Sequence, residues 1–191
     1  MILSEAGSGP VAAPLAEFKE HLRLGHGFAD DGAEDGLLAR YLSHAVAVVE
    51  HETGRALTKR RFELAVSRWD RDGCLAMPVG PVSAIVSAVL EGAGTTQALD
   101  TSVWTVSAEG TRGILSAGGG LLPFIPVGHV VRITFDAGIA DDWTGVPGGL
   151  EQAVMMLAAD FHARRGTERD GKADIPQVVR ALIGPWRPGR L

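Results

Sequence analysis

Apolar positions fall into three zones along the chain, helical in spacing, then alternating, then helical again. Leu15, Phe18 and Leu22 share one helical face and predict a short helix from near Pro14, a residue tolerated in a first turn, to about Leu24. Gly25 and Gly27 break it. Leu38, Tyr41, Leu42, Ala45, Val48 and Val49 then recur at i, i+3, i+4, i+7 spacing, the stripe of a second amphipathic helix. Asp31 with Glu34 three residues later reads as its capping box, and Thr53-Gly54 as its stop.

From residue 60 the period changes to two. Phe62, Leu64 and Val66 alternate with Glu63, Ala65 and Ser67, and Val131, Ile133 and Phe135 alternate with Arg132, Thr134 and Asp136. Both segments read as half-buried strands. Shorter strand candidates occupy 82–91, 103–108 and 112–116, parted by turn signals such as Glu91-Gly92, Glu109-Gly110 and Gly118-Gly119-Gly120. Pro147 then opens a long helix whose face is Leu150, Ala153, Val154, Leu157, Ala158 and Phe161. It ends at Arg164-Arg165-Gly166, where cations meet the negative end of the helix dipole. After a polar linker over 166–173, Asp174 and Pro176 announce a last short helix with Val178, Val179, Leu182 and Ile183, stopped by Gly184-Pro185.

This order predicts an α+β chain: a small helical bundle carrying an inserted antiparallel β-sheet or barrel subdomain. The bundle takes 14–58 and 147–165, and the β-rich insertion takes 59–146. A flexible leader is expected over 1–13, and a linker, short helix and tail over 166–191.

Composition narrows the class. The chain has 191 residues, enough for one domain with a sizeable insertion, and 46% hydrophobic against 21% charged residues excludes wholesale disorder. No apolar run approaches the roughly 18 residues of a membrane span, and the opening MILSEAGSGPVAAP lacks the basic start of a secretory signal. The single cysteine, Cys74, excludes an internal disulfide and any multi-cysteine zinc site. The net charge is -5, the wrong sign for a general nucleic-acid binder. Residues 161–191 nevertheless carry seven basic side chains against three acidic ones, a composition suited to docking on an acidic surface or simply to solvation.

Signs of catalysis are few. His44 and His51 lie seven apart, about 10 Å along a helix axis, too far for one metal at ~2 Å bonds. The acids Asp30, Asp31, Glu34 and Asp35 lack the alternation and terminal glutamate of a calcium loop. G-x-S-x-G, H-E-x-x-H and phosphate-loop motifs are missing, so neither cofactor nor metal is expected. Trp69, Trp104 and Trp143 read as fillers of the sheet and its edges. Trp186 differs, since Gly184-Pro185-Trp186-Arg187-Pro188-Gly189-Arg190-Leu191 gives its indole little to bury against locally. An aromatic flanked by arginines is the composition of an interface anchor; folding back onto the bundle is the alternative.

The run Leu15-Ala16-Glu17-Phe18-Lys19-Glu20-His21-Leu22-Arg23, the acidic loop, and Glu50-x-x-Thr53-Gly54-Arg55-Ala56-Leu57 resemble the opening of head–tail connector (adaptor) proteins of tailed phages and phage-like gene transfer agents. The resemblance continues through Met77-Pro78, Pro81-Val82, Val131-Arg132-Ile133-Thr134-Phe135-Asp136-Ala137-Gly138, Val146-Pro147 with Leu150 and Ala153, Arg164-Arg165, and Leu182-x-x-Pro185-Trp186-Arg187. It spans about 14–190. Order and spacing carry it, since each motif alone is a helix or turn signature. Phe18 departs from the small residue often found there, and the loops at 92–96 and 116–127 do not align.

The resemblance implies a non-enzymatic protein, about a dozen copies of which form a ring beneath the portal. Such a ring extends the DNA channel and joins the capsid to a stopper or tail. Its partners would be the portal protein, a stopper or tail-terminator protein and further copies of itself, with DNA passing unbound through the lumen. The expected location is the particle neck, after assembly in the bacterial cytoplasm. The resemblance also implies that the C-terminal segment reaches the portal through Ile175, Val178, Val179, Arg180, Leu182, Ile183, Trp186, Arg187 and Arg190, with Trp186 and Arg187 as chief anchors. Two other readings stay open: a stopper or tail-completion protein, and a small enzyme with its site in the β insertion around His129, Asp136 and Asp141.

Overall fold

The computed structural model describes residues 1–6, 13–22, 34–70, 72–107, 112–118, 120–164 and 175–188. Two compact units emerge. One holds Met1–Pro10 and Gly54–Asp141 together with Pro188–Leu191, and the other Val11–Thr53 and Asp142–Arg187.

The first unit is built on β2 (Arg60–Val66) and β8 (Val130–Ala137), antiparallel neighbours in a five-stranded sheet. Phe62, Leu64 and Val66 face Phe135, Ile133 and Val131 in register, and all six are buried. Slipping either strand by one residue would turn its three apolar side chains to the other face, so the alternation itself fixes the pairing. The Phe62 and Phe135 rings stack with centroids 5.5 Å apart. On the opposite face, Arg132 reaches Glu63 at 2.6 Å and Glu91 at 3.0 Å, and Arg61 pairs with Asp136 at 2.8 Å.

The sheet is completed by β1 (Ile2–Glu5), β4 (Val82–Gly92) and β5 (Thr95–Ala98), in the order β1-β2-β8-β4-β5. Irregularities at Val82/Ala84 and Ile85/Ser87 break the alternation of β4. A second antiparallel sheet orders β3 (Leu75–Ala76), β7 (Ile114–Ala117) and β6 (Trp104–Val106). Its Leu115 joins Met77, Leu64 and Phe135 in one core. Both sheets are open, so of the two architectures left by the sequence the chain adopts sheets and not a closed barrel.

The strand β1 lies where a flexible leader was expected. Its four residues are all exposed, so no hydrophobic pattern announces it. It is held by its ladder to β2 and by an ion pair between Glu5 and Arg60 at 2.9 Å. The proposed capping residue Asp31, the linker 166–173 and Arg190 lie outside the described residues.

The second unit contains α1 (Leu15–His21), α2 (Asp35–Thr53), α3 (Gly148–Ala163) and α4 (Gln177–Ile183). Helix α2 buries Leu38, Leu42, Ala45, Val46, Val49 and Thr53, and α3 buries Leu150, Ala153, Val154, Met155, Leu157 and Ala158. These two stripes pack on each other, α4 packs on α3, and Phe18 of α1 is fully buried. Lys19 ties α1 to α2 through Asp35 at 2.6 Å. Trp143 sits in a 3-10 turn of this unit, not at a sheet edge as its sequence context suggested.

Helix α2 ends because Gly54 takes φ +65°, a left-handed conformation that costs glycine little. A Cβ at that position would also strike the Arg112 side chain.

Candidate assembly interface

Pro176 precedes α4 and fits its start, since its missing N–H would find no partner in a first turn. Four residues apart on one face, Val179 and Ile183 are both fully buried. Burying two such side chains contributes on the order of 1.5–3 kcal/mol each. Ile175 and Leu182 are half-buried, Val178 is 50% exposed, and Arg180 is exposed.

Beyond α4 a 3-10 turn, Gly184–Trp186, holds the Trp186 indole half-buried. Arg187 follows, and its guanidinium pairs with the Glu52 carboxylate near the end of α2. The nine residues nominated by the sequence are therefore not one surface. Val179 and Ile183 are occupied in holding α4 to its own bundle. Val178, Arg180, Arg187 and part of Trp186 are presented outward, and Arg190 lies outside the described residues. Glu52, the partner of Arg187, was not singled out by sequence, because the two lie 135 positions apart.

His129, Asp136 and Asp141 are not brought together. His129 precedes the first residue of β8, and its Nδ1 lies 3.4 Å from the Val127 carbonyl oxygen. Asp136 stands near the far end of that strand, roughly 20 Å away at strand rise, where Arg61 holds it in a two-bond ion pair of 2.8 and 2.9 Å. That hydrogen bonding keeps the Asp136 carboxyl below its ordinary range, outweighing the opposing effect of burial. Asp141 is exposed and pairs with Lys59 at 2.8 Å. Among the described residues no three His, Cys, Asp or Glu side chains gather as metal ligands would.

No family model matches the sequence, and no curated protein matches it either. Solved structures do. The chain is 38% identical to a chain in the neck of an empty gene transfer agent (GTA) particle computed with C6 symmetry, covering 100% of this chain and 97% of that one with a TM-score of 0.86. It is 39% identical, over the same shares and with a TM-score of 0.83, to a chain of the virion of a native GTA particle. The neck of a native GTA particle computed with C12 symmetry contains a chain 34% identical, again over 100% and 97%, at a TM-score of 0.80. Identity at this level over the full length goes beyond a shared fold, and the chain belongs to the family of these gene transfer agent neck proteins.

Proposed function

We propose that this chain is the head–tail adaptor of a gene transfer agent particle, a structural ring protein seated beneath the portal. The observation that carries the reading is the full-length match to chains of gene transfer agent necks, one computed with C6 and one with C12 symmetry. A twelvefold ring satisfies sixfold symmetry as well, whereas a sixfold ring does not satisfy twelvefold, so the pair of symmetries favours about a dozen copies. Closing such a ring takes heterologous contacts between neighbours.

In this reading the portal is met by the outward side of the C-terminal segment: Val178, Arg180, the exposed part of Trp186, and Arg187, with Arg190 beyond. An Arg beside an aromatic is a recurrent anchor pair at interfaces. The buried Val179 and Ile183 support that surface from beneath. The acidic chain, net -5, lets DNA slide past, because phosphate binding depends mainly on Lys and Arg.

Cryo-electron microscopy of particles from producing cells, with this chain identified by mass spectrometry, tests the proposal. A twelvefold ring under the portal that fits both units of this fold is the expected result. Binding of the purified chain to tail tube and not to portal would make it a stopper or tail-completion protein instead. Necks that are complete without this chain would overturn the structural role altogether.

A further inference from the structure

The edge of a sheet is a row of backbone groups ready to pair with a further strand. The first unit has four such edges, β1 and β5 on one sheet and β3 and β6 on the other. Two of them are closed by the chain itself. On β3 the Ala76 amide donates to the Asp70 carboxylate at 2.9 Å. On β6 the Trp104 amide turns back to the Thr101 carbonyl at 3.0 Å.

The other two stay open. The Ala6 amide donates to the Arg61 carbonyl at 2.9 Å, so the alternation of an antiparallel ladder bonds Ser4 and Ile2 to β2 and points the backbone of Leu3 and Glu5 away from it. The Leu99 amide donates to the Ala88 carbonyl at 2.9 Å, and the same alternation bonds Gln97 and Thr95 to β4 and turns Thr96 and Ala98 outward. Among the described residues nothing accepts from the amides of Leu3, Glu5, Thr96 or Ala98. Every residue of both strands is exposed. Neither edge is defended by free charge or proline, as lone edges commonly are. The strand β5 reads Thr-Thr-Gln-Ala, and the one charge of β1, Glu5, is paired with Arg60.

We infer that β5 of one copy pairs with β1 of the next, so that the sheet continues from subunit to subunit around the ring. This pairing rests on the ring in the proposed function and not on which storey of the neck the ring occupies. A row of unpaired amides and carbonyls is matched by another extended strand, and each copy carries two such rows. A closed ring needs two different surfaces that fit each other, in keeping with the sixfold and twelvefold necks of the related chains. Pairing β1 with β1, or β5 with β5, would close a two-fold dimer instead.

Strand direction then sets the ladder. Each of the five strands runs antiparallel to its neighbour, so the first and last run the same way. A step of roughly 30° about a twelvefold axis nearly keeps that direction, which makes the new ladder parallel. With Leu3 facing Gln97, the Leu3 amide donates to the Thr96 carbonyl, the Ala98 amide to the Leu3 carbonyl, and the Glu5 amide to the Ala98 carbonyl. Ile2 then flanks Thr96 and Ser4 flanks Ala98, and no like charges meet. Four residues a side make a weak contact alone, which keeps free copies from joining at random. Repetition around the ring supplies the strength, because linked contacts engage with avidity.

The test uses particles from producing cells that carry the full-length variant Ser4→Cys with Ala98→Cys, in a Cys74→Ser background. Paired strands lie about 4.8 Å apart, within the Cα range that a disulfide bridges. After oxidation with copper–phenanthroline, a non-reducing gel should show a ladder of this chain reaching well past the dimer and collapsing to monomer on reduction. Each single-cysteine variant should stay monomeric. Only monomer from the double variant, in particles with the wild-type number of copies, would overturn the pairing. So would a product that stops at the dimer, or a dimer from either single variant, each the mark of a two-fold contact. Ala98→Pro reads the same contact without cysteines. It deletes an amide unused within the chain, and proline is tolerated on an edge strand. Its unfolding midpoint should match wild type while copies per head, counted by mass spectrometry, fall at least fivefold. Copies at the wild-type level would overturn the pairing. A cross-linked ladder in rings attached to tail tube and not to portal would sink the adaptor reading and leave the pairing standing.

Discussion

Helix α4 and the loop 121–127, between β7 and β8, carry similar apolar content and use it in opposite ways. The helix turns Val179 and Ile183 inward to full burial and leaves Arg180 outside. The loop keeps only Leu122 and Ile125 inside and exposes Leu121, Phe124 and Val127. Both segments are short, and both depend on the unit beneath them. The difference is in what remains available to a partner: a charged and aromatic edge in one case, an uncharged apolar one in the other. Residue type alone therefore does not identify a docking surface. Apolar side chains that complete their own core are not free to bind elsewhere.

The comparison is broken most directly at Ile183. Replacing it by Ala removes three buried carbons and should lower stability by about 2–5 kcal/mol, read by denaturant unfolding of the full chain. A loss below about 1 kcal/mol would mean that α4 is not fixed to α3 and that the whole C-terminal segment is a free tail.

How much of this was legible in the sequence follows from where each residue's energy lies. Helices α2 and α3 were readable because their stripes of Leu, Val and Ala repeat locally, and β2 and β8 because Phe62–Val66 and Val131–Phe135 alternate. The strands β1 and β5 were not anticipated, since all their residues are exposed and only backbone pairing defines them, of β1 to the distant β2 and of β5 to β4 across a tight turn. Whether the sheet closes was equally hidden, because closure depends on edge pairing and not on either strand's own pattern. For the candidate site, the segment was found but not its orientation. Helical spacing grouped Val178, Val179, Leu182 and Ile183 together, and only packing against α3 decides which of them point inward. The loop's lack of charge is visible in the sequence, but which of its apolar side chains point outward is not.

A second contrast lies within the five-stranded sheet, one face packed and the other held by charge. The Arg132 hydrogen bonds, acting against a smaller effect of burial, hold the Glu91 carboxyl below its ordinary 4.5, and Arg61 does the same to Asp136 below 3.8. A carboxyl depressed by folding stabilises at neutral pH, and that stabilisation fades as pH falls through the folded value. Unfolding midpoints should therefore hold steady from pH 7 to about 5 and drop below about 4. Arg132→Met should flatten that acid limb in proportion to the pairs removed. An unchanged acid limb in Arg132→Met would show that the Arg132 pairs with Glu63 and Glu91 contribute nothing to the acid sensitivity of the sheet.

Arg187 and Glu52 offer a smaller effect. Their side chains are 40% and 25% exposed, and pairs of this kind couple by about 0.2–1 kcal/mol. A double-mutant cycle with Arg187→Ala and Glu52→Ala should return a coupling in that range, shrinking as salt is raised. Coupling near zero would leave Arg187 wholly available to the portal. A value above about 2 kcal/mol would make it a structural clamp and weaken its place among the docking residues.

The smallest effect is expected from the largest exposed ring. Phe124 is an aromatic on a loop tied down at Leu122 and Pro123, and cutting a buried Phe down to a small residue costs about 3–5 kcal/mol. At 81% exposure it has almost none of that packing to lose, and removing surface it already shows to water returns little. Phe124→Ser should shift stability by no more than about 0.5 kcal/mol in either direction, measured by the same denaturant unfolding as Ile183→Ala. If Phe124→Ser cost 2 kcal/mol or more, the ring would be part of the core, and the loop would belong with α4 as a segment whose apolar residues serve its own fold.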